Sequence, residues 1–444
     1  MEDDAFISFR YARNLATGNG FTFNPGEVHF GTSAPLFAAA LGVLGIPKPN
    51  VIPFLGFWIS ALALLACGLA MLAFWWDSKR EVGMLAGVLI VASPLTYYSF
   101  GMEMSTQAAL VLWGFYLCRI GRPVRGNGLL ALAVLVRPDA VVALAIGLGY
   151  AAWQRRRVPW REGGVAALIL LPAALTLYFY FGTALPATAA AKQAQVESGV
   201  WRTFIPGTLE FLQDRYVIGR HMPIAPVAAE TVNTPLPAWP LWAGLACVGV
   251  FFCRRAALPI LWGAGITFAY QVGRVTFNDW YIVPVGIGLS ILIACALSKL
   301  PRRAVIGFTA AAGCFLIWYA WARGVNTRDG RTASYIQAGK WLAVNTTHEQ
   351  TIGFCELGYV GWYCDRKMVD PLGLVHEGLD RHVSAGNFGY AYKKRKPDYI
   401  LDCPVFNLLF APDHTLDWIR ANYAPVAEFR NRGYAPVTVW KRKA

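Results

Sequence analysis

The densest group of residues able to do chemistry lies at the start of the chain: Asp3-Asp4-Ala5-Phe6-Ile7-Ser8-Phe9-Arg10-Tyr11-Ala12-Arg13-Asn14. Residues 3–16 carry a helical period. It brings Phe6, Phe9 with Arg10, and Arg13 near one another, with Asp3 one turn before Phe6. A carboxylate at the start of a helix, at a water–membrane border, can serve as a general base. The plainer reading of the same acids is an N-terminal cap on a solvated face, with Asp4 paired to Arg10 or Arg13. Further along, Arg137-Pro138-Asp139 interrupts an apolar stretch, where charges are costly unless paired or set in a polar cavity. The bland account there is an ion pair bracing two half-helices. Glu103, Lys192 and Arg274 sit at the ends of apolar runs. Glu103 would brace Arg137 or orient a substrate. Lys192 and Arg274 read by default as snorkelling cations, Arg274 paired with Asp279.

The elements that must position these residues are membrane elements. Of 444 residues 56% are hydrophobic and only 15% charged, against roughly 25% charged in soluble domains. Apolar runs fall at about 51–76, 83–100, 104–118, 163–182, 238–252, 257–273, 280–297 and 304–322. Between 126 and 154, two half-helices meeting at the polar apex 137–139 fit better than one span, a break tolerated where it lines a cavity. The net charge of +14 does not signal nucleic acid. Fourteen Lys and Arg opposed by three acids in five short loops account for +11 of it. That is the positive-inside pattern.

Placing those loops in the cytoplasm puts residues 1–50, 101–103, 137–139, 183–237, 274–279 and everything after 322 on the other side. A polar start with Glu2, Asp3 and Asp4 can be translocated as it stands, but a first transmembrane helix missing from the sequence is the favoured expectation. Residues 35–46 are apolar but too short to span and read as an interfacial helix. The long 183–237 connection, with Glu197, Glu210, Asp214 and Arg220, reads as a structured cap. From 323 the chain changes character. An amphipathic helix around Lys340-Trp341-Leu342 is followed by strands at 351–355, 367–370, 398–401 and 437–440, a small α/β unit. The expected fold is mostly α: a polytopic helical bundle over 1–322 with a soluble extracytoplasmic α/β domain over 323–444.

No metal-ligand spacing appears among the cysteines or among His221, His376, His382 and His414, which read as surface histidines. Cysteines in the apolar segments read as small buried hydrophobes. An oxidising compartment would permit a Cys355–Cys364 disulfide.

The N-terminal stretch resembles the first extracytoplasmic loop of the GT-C superfamily of membrane glycosyltransferases. It is closest to the bacterial branch that includes the mycobacterial terminal arabinofuranosyltransferases. The resemblance rests on Asp3 to Phe6 with Ile7, Arg10 to Leu15, Gly18 to Phe21, Asn24 to Glu27 and Gly31 to Leu36. It continues through Gly101-Met102-Glu103, Arg137-Pro138-Asp139, Leu185 to Thr188 with Ala191-Lys192, and Asp370 to Leu374. His29-Phe30-Gly31-Thr32 replaces the commoner Glu-Gly-Tyr run. The resemblance implies a GT-C-like bundle in the inner membrane and a polyprenyl-phosphate sugar donor. The acceptor would be an envelope glycan, lipid or protein. It implies an inverting displacement in which a carboxylate deprotonates the acceptor and cations stabilise the departing phosphate. On that implication Asp3, then Asp4, is the base. Lys192, Arg274 and Arg137 would bind donor phosphate, and Arg10, Glu103 and Asp139 would support or orient the acceptor. No cofactor is definite, and a divalent metal stays open.

Two other classes compete. A transporter or flippase of lipid-linked sugars would share broken helices and buried charges, but the two halves show no repeat and the polar residues gather on one face. A non-catalytic envelope assembly protein would use its tail to bind polymer.

Overall fold

The computed structural model describes residues 1–93, 96, 99–215, 217–218, 236–237, 239–326, 330–403, 406–431 and 434–443. Arg220 and His221 lie outside them. Each apolar run of the sequence carries a helix among its described residues. After α1 (Asp3–Ala16) and α2 (Pro35–Gly45) come α3 (Ile52–Phe74), α4 (Arg80–Ala92) and α5 (Met104–Arg119). Then follow α6 (Pro123–Val136), α7 (Val141–Arg155), α8 (Trp160–Phe181), α9 (Thr188–Glu197) and α10 (Phe204–Arg215). The bundle is completed by α11 (Trp239–Val250), α12 (Ala257–Val272), α13 (Val283–Leu297) and α14 (Arg302–Asn326).

Among the described residues, three helices are long and apolar enough to cross a membrane on their own, Pro49–Phe74, Trp160–Phe181 and Asp279–Leu297. The pair Ala243–Val250 and Arg254–Val272 bends by 92° at the break Phe251-Phe252-Cys253. The out-and-back pair is also present. α6 has 14 residues and α7 15, too few for a span of about 20 residues, and they meet at a single 3-10 turn, Pro138–Ala140. Proline ends the first helix because its ring clashes with a continuing turn and it has no N–H to donate. α6 packs on α5, α7 and α8, and α13 on α4, α11 and α12. α14 continues unbroken through position 322.

The tail holds α15 (Gly330–Asn345), α16 (Gly358–Cys364), α17 (Asp380–Ser384), α18 (Tyr390–Arg395), α19 (Asn407–Phe410) and α20 (Thr415–Asn422). They pack with a five-stranded sheet of order β4-β3-β5-β7-β6. Its strands are β3 (Thr351–Gly353), β4 (Lys367–Val369), β5 (Tyr399–Asp402), β6 (Tyr423–Phe429) and β7 (Val437–Arg442); a separate ribbon pairs β1 (Val217–Ile218) with β2 (Leu236–Pro237). β3 pairs in parallel with β4 and β5, while β7 runs antiparallel to β5 and β6. β6 has no counterpart in the sequence reading. It follows α20 without a turn signal and contains Pro425, which is tolerated because β6 is an edge strand with a register shift at Pro425/Ala427.

Two expectations are corrected. His376 is not a surface residue. It is 4% exposed, with Nε2 3.1 Å from the Met368 carbonyl and Nδ1 3.5 Å from Glu27. Cys355 and Cys364 are free, buried thiols, the Cys364 Sγ lying 3.9 Å from the Met368 sulfur.

Candidate functional site

α1 is an amphipathic helix whose polar face is buried against the tail. Asp3 is 3% exposed, and its two carboxylate oxygens accept the backbone N–H groups of Gly358 (2.8 Å) and Tyr359 (2.7 Å) at the start of α16. A carboxylate is the natural cap for those unpaired amides, and it complements the helix dipole. Gly358 is required here because a Cβ on it would lie 1.8 Å from the Asp3 carbonyl oxygen.

Arg10, 1% exposed, donates from Nε to the Phe23 carbonyl (2.8 Å), from Nη1 to the Gly361 carbonyl (2.7 Å) and from Nη2 to the Arg366 carbonyl. Arg13 donates to the Trp362 carbonyl at 3.0 Å and pairs with Asp365 at 2.5 Å. Phe6 packs on Tyr359 with ring centroids 4.3 Å apart. Asn24 completes the seam by exchanging two 2.9 Å hydrogen bonds with the backbone of Met368 on β4. Neither arginine pairs with Asp4, so the plain account of that residue does not hold.

Asp4 differs from its neighbour in exposure and in hydrogen bonding. It is partly exposed and, among the described residues, accepts no hydrogen bond and makes no close ion pair. Burial raises its pKa, opposed chiefly by the Lys192 charge, while Glu2 and Glu103 raise it further. The Asp3 carboxyl is also pushed up, to about 6, by burial, against the pull of the Tyr359 and Gly358 amides. Beside it, burial and the Asp3 charge push Glu356 up to about 8. Arg331 reaches into this acidic group and pairs with Glu2 at 2.9 Å.

Across from Asp4 stands the apex of the broken pair. Arg137, 5% exposed, donates from Nη1 to Glu103 at 2.7 Å and from Nε to Asp139 at 2.6 Å. Its guanidinium carbon lies 4.8 Å from the Tyr281 ring centre. Asp139 also accepts from Tyr270 and Gln107. The pairing lets charge persist at this depth. The Arg137 Nη2 takes no hydrogen-bond partner among the described residues, which leaves one donor of the fork for an oxyanion.

Lys192 is on α9. Its charge acts on Asp4 and also on Asp370. Asp370 is fully buried and accepts the N–H groups of Leu372 (2.8 Å), Leu374 (2.5 Å) and Val375 (3.1 Å), which shapes the Asp-Pro-Leu-Gly-Leu turn. Gly373 in that turn has φ +79°, and a Cβ on it would lie 4.0 Å from the Ala191 Cβ of α9. Of the sequence candidates, Asp4, Glu103, Arg137, Asp139 and Lys192 thus converge at one end of the bundle beneath the tail. Asp3 and Arg10 instead hold tail to bundle. Arg274 is exposed after α12, at φ 48°, and no hydrogen bond or ion pair joins its side chain to the cluster. Glu356 and Arg331 were missed because a lone acid and a lone arginine in a polar tail carry no spacing signal.

Residues 323–440 match a family model described as a domain of unknown function, DUF8728. No curated protein matches the chain. Among solved structures, the chain is similar to ArnT from Cupriavidus metallidurans bound to undecaprenyl phosphate. The TM-score is 0.60 at 16% identity, over 98% of this chain and 93% of that one. The apo state of the same protein matches with a TM-score of 0.59 at 15% identity and the same coverage. The chain therefore shares the fold of that protein, a helical bundle with a small C-terminal sheet, the architecture expected from its hydropathy and tail pattern.

Proposed function

We propose that the protein is an inverting membrane glycosyltransferase. It moves a sugar from a polyprenyl-phosphate donor to an envelope acceptor on the extracytoplasmic face of the inner membrane, with the tail from about 323 as an extracytoplasmic domain. The observation that carries this reading is a carboxylate, Asp4, that accepts no hydrogen bond among the described residues while the charges of Lys192 and of Glu103, the partner of Arg137, both act on it. The likeness of fold to a protein solved with undecaprenyl phosphate supports it.

In this reading the acceptor oxygen attacks the anomeric carbon while Asp4 takes its proton. The carbon–oxygen bond to the lipid phosphate breaks, and the phosphate leaves with the electron pair. A base whose pKa lies above the ordinary carboxylate range suits that step, because the proton transfer gains driving force near neutral pH. Lys192 and the Nη2 of Arg137 would take the charge that develops on the leaving phosphate, an interaction stronger in the transition state than in the ground state. Glu103 and Asp139 act through Arg137, fixing its fork. The acid ordering inverts the family-based expectation, since Asp3 is already engaged by two amides and Asp4 is not. Arg274 remains a candidate for phosphate only if the donor reaches it.

The test is transfer in proteoliposomes from a synthetic polyprenyl-phosphate sugar. Wild type should release free polyprenyl phosphate, and Asp4→Asn should not while still binding donor. A flippase would translocate the donor and release none.

A further inference from the structure

Beside the site lies a cleft of about 130 Å³, bounded by His29, Phe30, Phe181, His376, Glu377 and Asp380. His29 is 8% exposed; neither Nδ1 nor Nε2 reaches hydrogen-bond geometry, although the Leu374 backbone and Glu377 both act on the ring. The nearest acid, Glu377, is 3.8 Å from Nδ1, beyond hydrogen-bond reach. A buried imidazole without a partner is costly, so its placement requires an account.

The ring is not held by its own nitrogens but by its backbone. Tyr11 donates its hydroxyl to the His29 carbonyl (2.7 Å) and accepts the Gly31 N–H (2.9 Å). Ala187, just before α9, donates its N–H to the Phe30 carbonyl at 2.9 Å. Phe30 stacks on Phe181 with centroids 4.7 Å apart and planes 7° from parallel. Gly31 admits the tail, since a Cβ there would lie 2.3 Å from the Leu374 carbonyl oxygen. Three parts of the chain thus fix His29 in place while leaving both nitrogens unused. This is the pattern of a side chain organised in advance for a ligand.

The chemistry of the cleft narrows the ligand. Burial holds His29 below the usual imidazole range, so near neutral pH it offers one donor and one acceptor. A hydroxyl group needs that combination. Glu377 and Asp380 at the rim add acceptors for further hydroxyls and disfavour an anion. His376 is already committed to the Met368 carbonyl and lies near Glu27, and burial pulls it down to about 4, so it brings no positive charge. The Phe30 face supplies an apolar wall. Among the described residues no group of three His, Cys, Asp or Glu is placed to hold a metal ion.

The cleft also adjoins the reactive cluster. Ala187 lines it, and Lys192 follows five residues on, a rise of about 7.5 Å along a helix. Gly373 forms the partition: a Cβ there would stand 3.8 Å from Asp380 Oδ1 and 4.0 Å from the Ala191 Cβ. We propose that this cleft is the acceptor subsite and takes a neutral sugar, with His29 bonding one hydroxyl and Glu377 and Asp380 receiving others. The assignment of the sugar as acceptor rests on the glycosyltransferase reading.

The experiment is saturation-transfer NMR on the full chain in a detergent without sugar, with methyl pentofuranosides and methyl hexopyranosides as probes. Wild type should bind at least one glycoside. His29→Phe and the rim variant Glu377→Gln/Asp380→Asn should each weaken binding tenfold or more, and His29→Gln, which keeps a donor and an acceptor, should weaken it less. The rim variant changes exposed side chains, so its loss would not reflect misfolding. Failure of wild type to bind any probe, or wild-type affinity in His29→Phe, would overturn the proposal. So would Mn²⁺ binding lost in the rim variant with glycoside binding intact, which would make the cleft a cation site. Glycoside binding through His29 in a protein that releases no polyprenyl phosphate would refute the transferase reading and leave the sugar site standing. Transfer unaffected by His29→Phe would do the reverse.

Discussion

Replacing each member of the N-terminal acidic pair in turn separates a structural carboxylate from a reactive one. In Asp3→Asn, one amide oxygen can still accept from Gly358 or Tyr359, but the new NH₂ faces the other N–H at 2.7–2.8 Å. That loses a charge-assisted hydrogen bond of about 1.5–3 kcal/mol and strands a buried N–H at about 1–3 kcal/mol. Against this, the native carboxylate carries its own burial cost. A rise from 3.8 to about 6 corresponds to about 3 kcal/mol against the charged form, at about 1.4 kcal/mol per unit. The remainder is a destabilisation of at most about 3 kcal/mol, read as a lower melting temperature and faster proteolysis between bundle and tail. Turnover per folded molecule should change by no more than a few-fold. Asp4→Asn should show the opposite pattern, an unchanged melting temperature and a loss of roughly 10²–10⁴ in turnover, the usual worth of a general base. An inactive but fully stable Asp3→Asn, together with an active Asp4→Asn, would refute the division of roles.

Four further outcomes follow from the same geometry. Asp3, Asp370 and Glu356 all have folded-state pKa values above their ordinary ones, at about 6, 6 and 8. The folded protein therefore binds protons that the unfolded chain releases, and stability is lost as pH rises through those values. The melting temperature should fall between pH 5 and 8.5, and Glu356→Gln should flatten the upper part of that slope; a rise with pH would contradict it. Arg10→Met leaves three buried carbonyls without their donor and should loosen tail from bundle, seen as rapid hydrogen exchange in α16 rather than in α13. Gly358→Ala, whose methyl would collide with the Asp3 backbone, should give the same exchange signature or no folded protein. Arg137→Lys keeps the charge but loses the fork, so donor binding should weaken about tenfold or more while the acceptor-side cleft is unaffected.

The bundle was largely legible because hydropathy and loop charge act over whole segments. The broken pair α6–α7 could be read from three residues, Arg137-Pro138-Asp139, since proline and two charges leave few other conformations at that depth. The tail strands β3, β4, β5 and β7 showed in their β-branched and aromatic runs. β6 did not, because Pro425 argues against a strand unless the strand is known to be an edge. The site was half legible. The residue types were visible, but Asp3 and Asp4 are adjacent and equivalent until α16 is seen to cap itself on one of them. That contact links positions 355 residues apart. His376 was misread for the same reason: its polar partners are Glu27 and the Met368 carbonyl of β4, and local sequence does not place Glu27 beside it. Of the candidate residues, Arg274 is the one the fold leaves apart.

The central claim, that Asp4 drives sugar transfer from a lipid phosphate, is tested most directly by one stoichiometry. Radiolabelled polyprenyl-phosphate sugar and an envelope extract are supplied to proteoliposomes, and both the labelled product and free polyprenyl phosphate are counted. The account predicts equal amounts of the two from wild type, inverted configuration at the anomeric carbon, and neither product from Asp4→Asn. Retained configuration, or equal release by Asp4→Asn, would contradict it.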